Sequence, residues 1–261
     1  MAVTFSVFTK PWREPIPQLA RRIANLGFDG IELPVRPGYP VTPDTLELLP
    51  ETVRQMADAG LKVFSIASSA NERTIAACAD NGIPTIRIMA PIGDGGYVEA
   101  VRRTRSKFDN LLPLLRQYGV QIGVQNHYGG FVSNASGLRE LVAGYERAQV
   151  AAVWDAAHNA LNGEDPELAI DIVWDSLGMV NLKNAFWKLT SGPEAAEAQW
   201  TPYWTAGPHG LASWRRVAAE LQRREYSGVV CLTAEYSDEE RVDSLIAQDI
   251  QFAKSLWKAG L

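Results

Sequence analysis

Four apolar runs in the second half of the chain each lead to a side chain that carries oxygen. VQIGVQ ends at Gln125, VAAVWD at Asp155, MVNLK contains Asn181, and GVVCLTAE ends at Glu235. Oxygen donors gathered at one end of neighbouring strands can hold a small cation or a hydroxylated substrate. Asp155 and Glu235 are carboxylates, able to bind a cation or move a proton. Gln125 and Asn181 are amides, which offer a neutral carbonyl oxygen but take up no proton near neutral pH. Imidazoles lie nearby: His127 follows Gln125 by two residues, His158 follows Asp155 by three, and His209 comes after the third run. Glu32 ends an earlier run, Lys183 closes the third, and Trp12 follows the first apolar run of the chain.

Those residues need a scaffold that brings them to one face. Eight short β-rich runs, at 3–8, 28–33, 61–67, 83–90, 120–125, 150–155, 179–183 and 228–235, alternate with helix-period segments from end to end. Several runs are continuously apolar, as in parallel strands buried on both faces. The intervening stripes, such as Ile16, Leu19, Ile23 and Leu26, or Leu245, Ile246, Ile250 and Trp257, repeat at the spacing of an amphipathic helix. Gly27, Gly60, Gly82, Gly119 and Gly178 precede strands, where left-handed helix caps fall, and Ser136 and Asp238 are expected N-caps. Eight strand–helix units predict a (β/α)8 TIM barrel, an α/β fold of one domain over residues 1–261. A doubly wound sheet is the alternative, but no GxGxxG opens the first helix. In a barrel, the carboxyl ends of the strands carry the site, and every polar residue named above falls there. Residues 184–210 are expected to form an irregular loop covering that face.

The chain has 261 residues, 46% of them hydrophobic, and a net charge of -5. That charge disfavours a nucleic-acid partner, which needs a clustered positive field. RRTR at 102–105 reads as a solvated helix face. The two cysteines, Cys78 and Cys231, have no metal-ligand spacing and read as reduced core thiols of a cytoplasmic protein. No apolar stretch reaches the roughly 20 residues of a membrane span, and the amino terminus lacks the pattern of a signal peptide.

Taken in order, GFDGIEL, VQIGVQNH, VAAVWDAAHNAL, VNLKN, AGPHGLASW and VVCLTAEY resemble the xylose isomerase-like TIM barrel family, the sugar phosphate isomerase/epimerase superfamily, over nearly the whole chain. The resemblance implies a metal set of strand-five Glu, strand-six Asp, strand-seven His and strand-eight Glu, with a His three residues after the Asp. Asp155, His158 and Glu235 match. Gln125 and Asn181 replace the Glu and the His. The implied set of Gln125, Asp155, Asn181 and Glu235 is all oxygen, which suits Mg²⁺ or Mn²⁺ held weakly.

The implied activity is a sugar or keto-acid isomerase or epimerase, acting by proton transfer next to a carbonyl in carbohydrate metabolism. With Gln125 unable to act as a base, Glu235 is the expected base, and His158, His127 or His209 the acid or second base. Glu32, His127, Lys183 and Trp12 are expected substrate contacts; Glu32 could instead pair with a barrel cation such as Arg87. A one-base reaction is easier to build from this set than a two-base epimerisation, so a lyase or dehydratase stays open. So do a non-catalytic carbohydrate-binding or assembly barrel and a homo-oligomer. A DNA-repair endonuclease of related fold needs a histidine-rich zinc cluster, which three histidines do not supply.

Overall fold

The computed structural model describes residues 3–258. Residues 1–2 and 259–261 of the expected single domain lie outside them. In chain order the elements are β1 (Thr4–Phe8), α1 (Ile16–Leu26), β2 (Gly30–Pro34), α2 (Leu49–Asp58), β3 (Lys62–Ala67), α3 (Glu72–Asp80), β4 (Thr85–Met89), α4 (Gly96–Tyr118) and β5 (Gln121–Gln125). They continue with α5 (Ala135–Val142), β6 (Val150–Asp155), α6 (Ala156–Leu161), α7 (Pro166–Val173), β7 (Leu177–Leu182), β8 (Asn184–Leu189), β9 (Trp200–Thr205), α8 (Trp214–Arg223), β10 (Val229–Leu232) and α9 (Val242–Lys258).

Eight of the strands pair in parallel and close in the order β1-β10-β7-β6-β5-β4-β3-β2, the expected TIM barrel. Because strand side chains alternate, each strand sends one set to the helices and one into the barrel. Ile122 and Val124 of β5 face the helical layer as part of the main core, while Gly123 and Gln125 share the other face. Gly123 leaves no room for a larger residue, since a Cβ there would come within 2.7 Å of Val153 Cγ2. A separate apolar cluster is formed by Phe8, Ala67, Val153, Met179 and Cys231.

Parallel register sets several of these residues side by side in pairs. Phe8 pairs with Glu32, Glu32 with Ser65, Met89 with Gln125, Asp155 with Asn181, and Asn181 with Cys231.

Three local expectations need correction. Residues 184–210 are not irregular: β8 and β9 form an antiparallel hairpin from Asn184–Thr205 to Leu189–Trp200. Its ten-residue polar connection carries no tight-turn signature, so the sequence did not reveal it. The cap of α5 is Asn134, whose extended backbone lets Oδ1 accept from the Gly137 N–H at 2.8 Å, while Ser136 already lies inside the helix. Gly178 lies within β7, where a Cβ would sit 2.8 Å from that of Ala151, and is no helix cap. Gly27 and Gly119 are left-handed caps as expected, at φ 82° and 65°.

Candidate active site at the carboxyl end of the barrel

The deepest polar layer is a continuous chain of hydrogen bonds. Glu32, fully buried, accepts from Ser65 Oγ at 2.9 Å and from Arg87 Nε at 2.8 Å on both carboxylate oxygens. Arg87 Nη1 donates to Gln125 Oε1. Gln125 Nε2 donates onward to Asp155 Oδ2 at 2.9 Å. The other Asp155 oxygen caps α6, accepting from the backbone N–H groups of Ala157 and His158 at 3.0 and 3.1 Å. Asn126 locks this corner, accepting from the Asp155 N–H and donating to its carbonyl. Burial pushes the Asp155 carboxyl up to about 6, with Lys183 opposing that shift.

Asn181 has both amide atoms buried and without a hydrogen-bond partner among the described residues. An unmade pair of bonds in such a place costs about 1–3 kcal/mol for each group.

Above this layer, Glu235 sits three residues beyond β10, after Ala234 turns through a left-handed φ of 50°. Its carboxylate is clamped between two ammonium groups, Lys10 on Oε1 and Lys183 on Oε2. Burial works against ionisation, but Lys183 and Lys10 outweigh it and hold the carboxyl down at about 2. Lys183 is buried and lies 3.7 Å from the centre of the Trp204 ring, a cation–π contact. Glu235 is 22% exposed, and its exposed edge faces a cavity of about 590 Å³.

His127 lines the cavity on the β5 side, and His158 lies buried behind it, with ring centres 4.0 Å apart. Burial lowers both, and Lys183 and His127 lower His158 further, so both imidazoles are neutral near pH 7. His127 Nδ1 lies 2.7 Å from the Tyr128 carbonyl, so it carries the proton and Nε2 is the free acceptor. His158 Nε2 stands 3.9 Å from Asp155 Oδ2, beyond hydrogen-bond reach. Neutral imidazoles can accept protons here but are not charged acids.

Of the expected residues only Glu235, Lys183 and His127 line this cavity; Gln125, Asp155, Asn181 and His158 are buried away from it, and two others lie elsewhere. His209, in the turn after β9, lines a neighbouring cleft with Asp238, Arg241 and Phe252. Trp12 is buried and donates from Nε1 to Asp243. Glu32 lies beneath the cavity in its ion pair with Arg87, the alternative open from the sequence. Lys10, Arg13, Tyr39, Tyr128, Tyr236 and Glu239 line the cavity without having been anticipated. Lys10 stands two residues beyond β1, so the strand-end rule that found Lys183 could have found it. The aromatic 184–210 segment contributes Trp204 to the wall, whereas Trp187 donates to the Leu161 carbonyl and Trp200 is exposed.

The donor set does not fit Mg²⁺ or Mn²⁺. Among the described residues, no group of three or more His, Cys, Asp or Glu side chains is placed to hold a metal. The Gln125 oxygen is turned to Arg87, and Glu235 is already neutralised by two lysines. A dication would have to displace or repel Lys10, Lys183 and Arg87, with only Asp155, Glu235 and Glu32 in balance. The ammonium groups of Lys10 and Lys183 take one carboxylate oxygen of Glu235 each.

A family model described as the xylose isomerase-like TIM barrel matches residues 20–256. No curated protein sequence matches the chain at a significant level. Similar solved structures include the 3-keto-D-glucoside 4-epimerase YcjR from E. coli, with TM-score 0.74 and 12% identity over 97% of this chain and 100% of that one. They also include a D-psicose 3-epimerase (TM-score 0.69, 14% identity, 99% of both chains). A third is the probable 3-DHS dehydratase AsbF from Bacillus anthracis (TM-score 0.70, 15% identity, 97% and 99%). At these identities the likeness is one of fold. No helix among the described residues is long and apolar enough to cross a membrane.

Proposed function

The chain belongs to the xylose isomerase-like TIM barrel family, and from its site we propose that it moves a proton next to the carbonyl of a sugar or keto-acid, as an isomerase or epimerase. The observation that carries this reading is Glu235, an ionised carboxylate at the cavity edge, held by two ammonium groups that can also hold a substrate oxygen.

A carboxylate at about 2 is always ionised near pH 7 but is a weak base. A substrate carbonyl or hydroxyl that takes the hydrogen bond of one lysine removes part of that stabilisation, and the basicity of Glu235 rises as the substrate seats. Glu235 then accepts the proton from the carbon next to the carbonyl. The C–H electron pair moves into the carbon–carbon bond, and the carbonyl π pair moves onto oxygen. The Lys183 ammonium faces the resulting enolate oxygen, so the negative charge passes from carboxylate to enolate beside a fixed cation. The enolate oxygen takes a proton from the Lys183 ammonium, the neighbouring hydroxyl returns one to that lysine and becomes the new carbonyl, and delivery of the Glu235 proton to the former carbonyl carbon on the same face completes an isomerisation with one base.

Gln125 cannot supply a second base, which weighs against two-base epimerisation. The neutral His127 Nε2, which lines the same cavity, is able to take that part. A lyase reading rests on the same lysines, because an ammonium group can protonate a departing hydroxyl after Glu235 removes the neighbouring proton. Trp204 offers a ring face and Tyr128 an aromatic wall for a hydroxylated substrate.

The test is hydrogen–deuterium exchange into the carbon next to the carbonyl, followed by NMR in D₂O over a panel of ketoses, aldoses and 2-keto acids. Exchange by the wild type, lost in E235Q with the fold intact, supports the reading. Full exchange by E235Q removes Glu235 as the base. Thermal stabilisation by a sugar with no exchange over the whole panel favours a carbohydrate-binding barrel instead.

A further inference from the structure

A second cavity, of about 540 Å³, opens at the carboxyl ends of β2, β3 and β4 beside α4. The segment after β2 borders both cavities: Tyr39 lines the first, while Arg36 and Pro43 line the second. The charged residues of the second cavity are Arg36, Arg87 and Lys107, and no carboxylate lines it, although the chain carries a net charge of -5. Arg87 is neutralised by Glu32. Arg36 is half-buried, and among the described residues its guanidinium has no carboxylate or carbonyl partner. It stands 5.6 Å from the Phe8 ring centre. Ser68, on the same wall, has a buried hydroxyl with no hydrogen-bond partner among the described residues. The remaining lining is largely apolar, including Phe108, Leu111 and Phe131.

An unpaired, half-buried guanidinium and an orphaned hydroxyl both lose solvation without recovering it. A carboxylate or phosphate recovers both, because it matches the planar donor fork of arginine and can accept from the serine. Burial and the adjacent Arg87 lower the proton affinity of Arg36, and an anion in the cavity would oppose both effects. The apolar wall has no use for a bare ion and suits a hydrocarbon body.

We propose that this second cavity binds a small ligand with an anionic head, carboxylate or phosphate, on an apolar body, with Arg36 as the head-group partner and the Ser68 hydroxyl as a second donor. The site goes beyond the carbonyl chemistry at Glu235 and does not depend on it.

Benzoate, phenyl phosphate and the neutral benzamide are titrated against the full chain by ligand-observed NMR. Saturable binding of benzoate or phenyl phosphate, with benzamide at least tenfold weaker, is expected, and the stronger of the two identifies the head group. R36Q should weaken that binding about 10–100-fold, R36K less, and E235Q should leave it unchanged. S68A should weaken it severalfold and decides the matter if R36Q does not fold. The proposal is overturned by absence of wild-type binding at millimolar ligand, by equal binding of benzamide, by unchanged affinity in R36Q or in S68A, or by loss of binding in E235Q.

Discussion

The clamp on Glu235 makes a quantitative demand on stability. Its carboxyl falls from an ordinary 4.5 to about 2 because Lys183 and Lys10 favour the ionised form more than burial disfavours it. At 1.36 kcal/mol per pH unit, ionised Glu235 contributes about 3 kcal/mol to folding at neutral pH. The sign follows from proton binding. The unfolded chain holds the proton more tightly, so the contribution is present above pH 4.5 and is lost as pH falls towards 2. Replacing Glu235 by Gln removes that dependence and leaves Lys10 and Lys183 facing an amide. Urea denaturation of wild type and E235Q, compared between about pH 2.5 and 4.5, isolates the effect, because the other carboxyls titrate in both proteins and their contributions cancel in the difference. The stability gap should widen by about 2 kcal/mol across it. A gap that stays flat means that the lysines do not hold Glu235, and the electrostatic basis of the proposed chemistry fails with it.

Three further outcomes follow from the deep layer and the barrel wall. Asp155 has the opposite sign: its carboxyl is pushed up to about 6, so its favourable protonated state is lost as pH rises through 6. D155N should therefore flatten the decline in stability between about pH 4 and pH 6, measured by thermal midpoint; an unchanged slope assigns that decline to Asp249, which is also raised to about 6. R87M leaves Glu32 charged and buried without its partner, at a cost of about 3–5 kcal/mol, whereas the R87M/E32M pair should recover much of it; a double-mutant cycle with no coupling refutes the pairing. G123A forces a methyl against Val153 and should cost about 1–3 kcal/mol in chemical denaturation, with a neutral result showing that the barrel interior has slack.

Much of the fold and part of the site were legible before the chain was folded. Apolar β-rich runs and period-3.6 stripes are local, so the eight barrel strands were located, β6 over the same residues, 150–155. Strand ends on one face of a barrel made Glu235, Asp155, Lys183 and His127 neighbours in prospect. The 184–210 hairpin escaped because its strands pair with each other alone, across a ten-residue connection rather than a two-residue hairpin turn.

What the sequence determined by itself is the inventory: which groups stand at the strand ends, and that two of them are amides without proton-accepting power. What only the tertiary structure decided is how those groups are spent. Closure of β1 against β10 brings Lys10 to Glu235 across 225 residues of chain, and neighbouring strands set Arg87 against Gln125. A hydrogen bond or an ion pair depends on distance and direction, and those are fixed by long-range pairing that no local pattern encodes. The quartet that began as a cation site thereby becomes a carboxylate held by lysines above a saturated polar chain, with the Asn181 amide still unpaired.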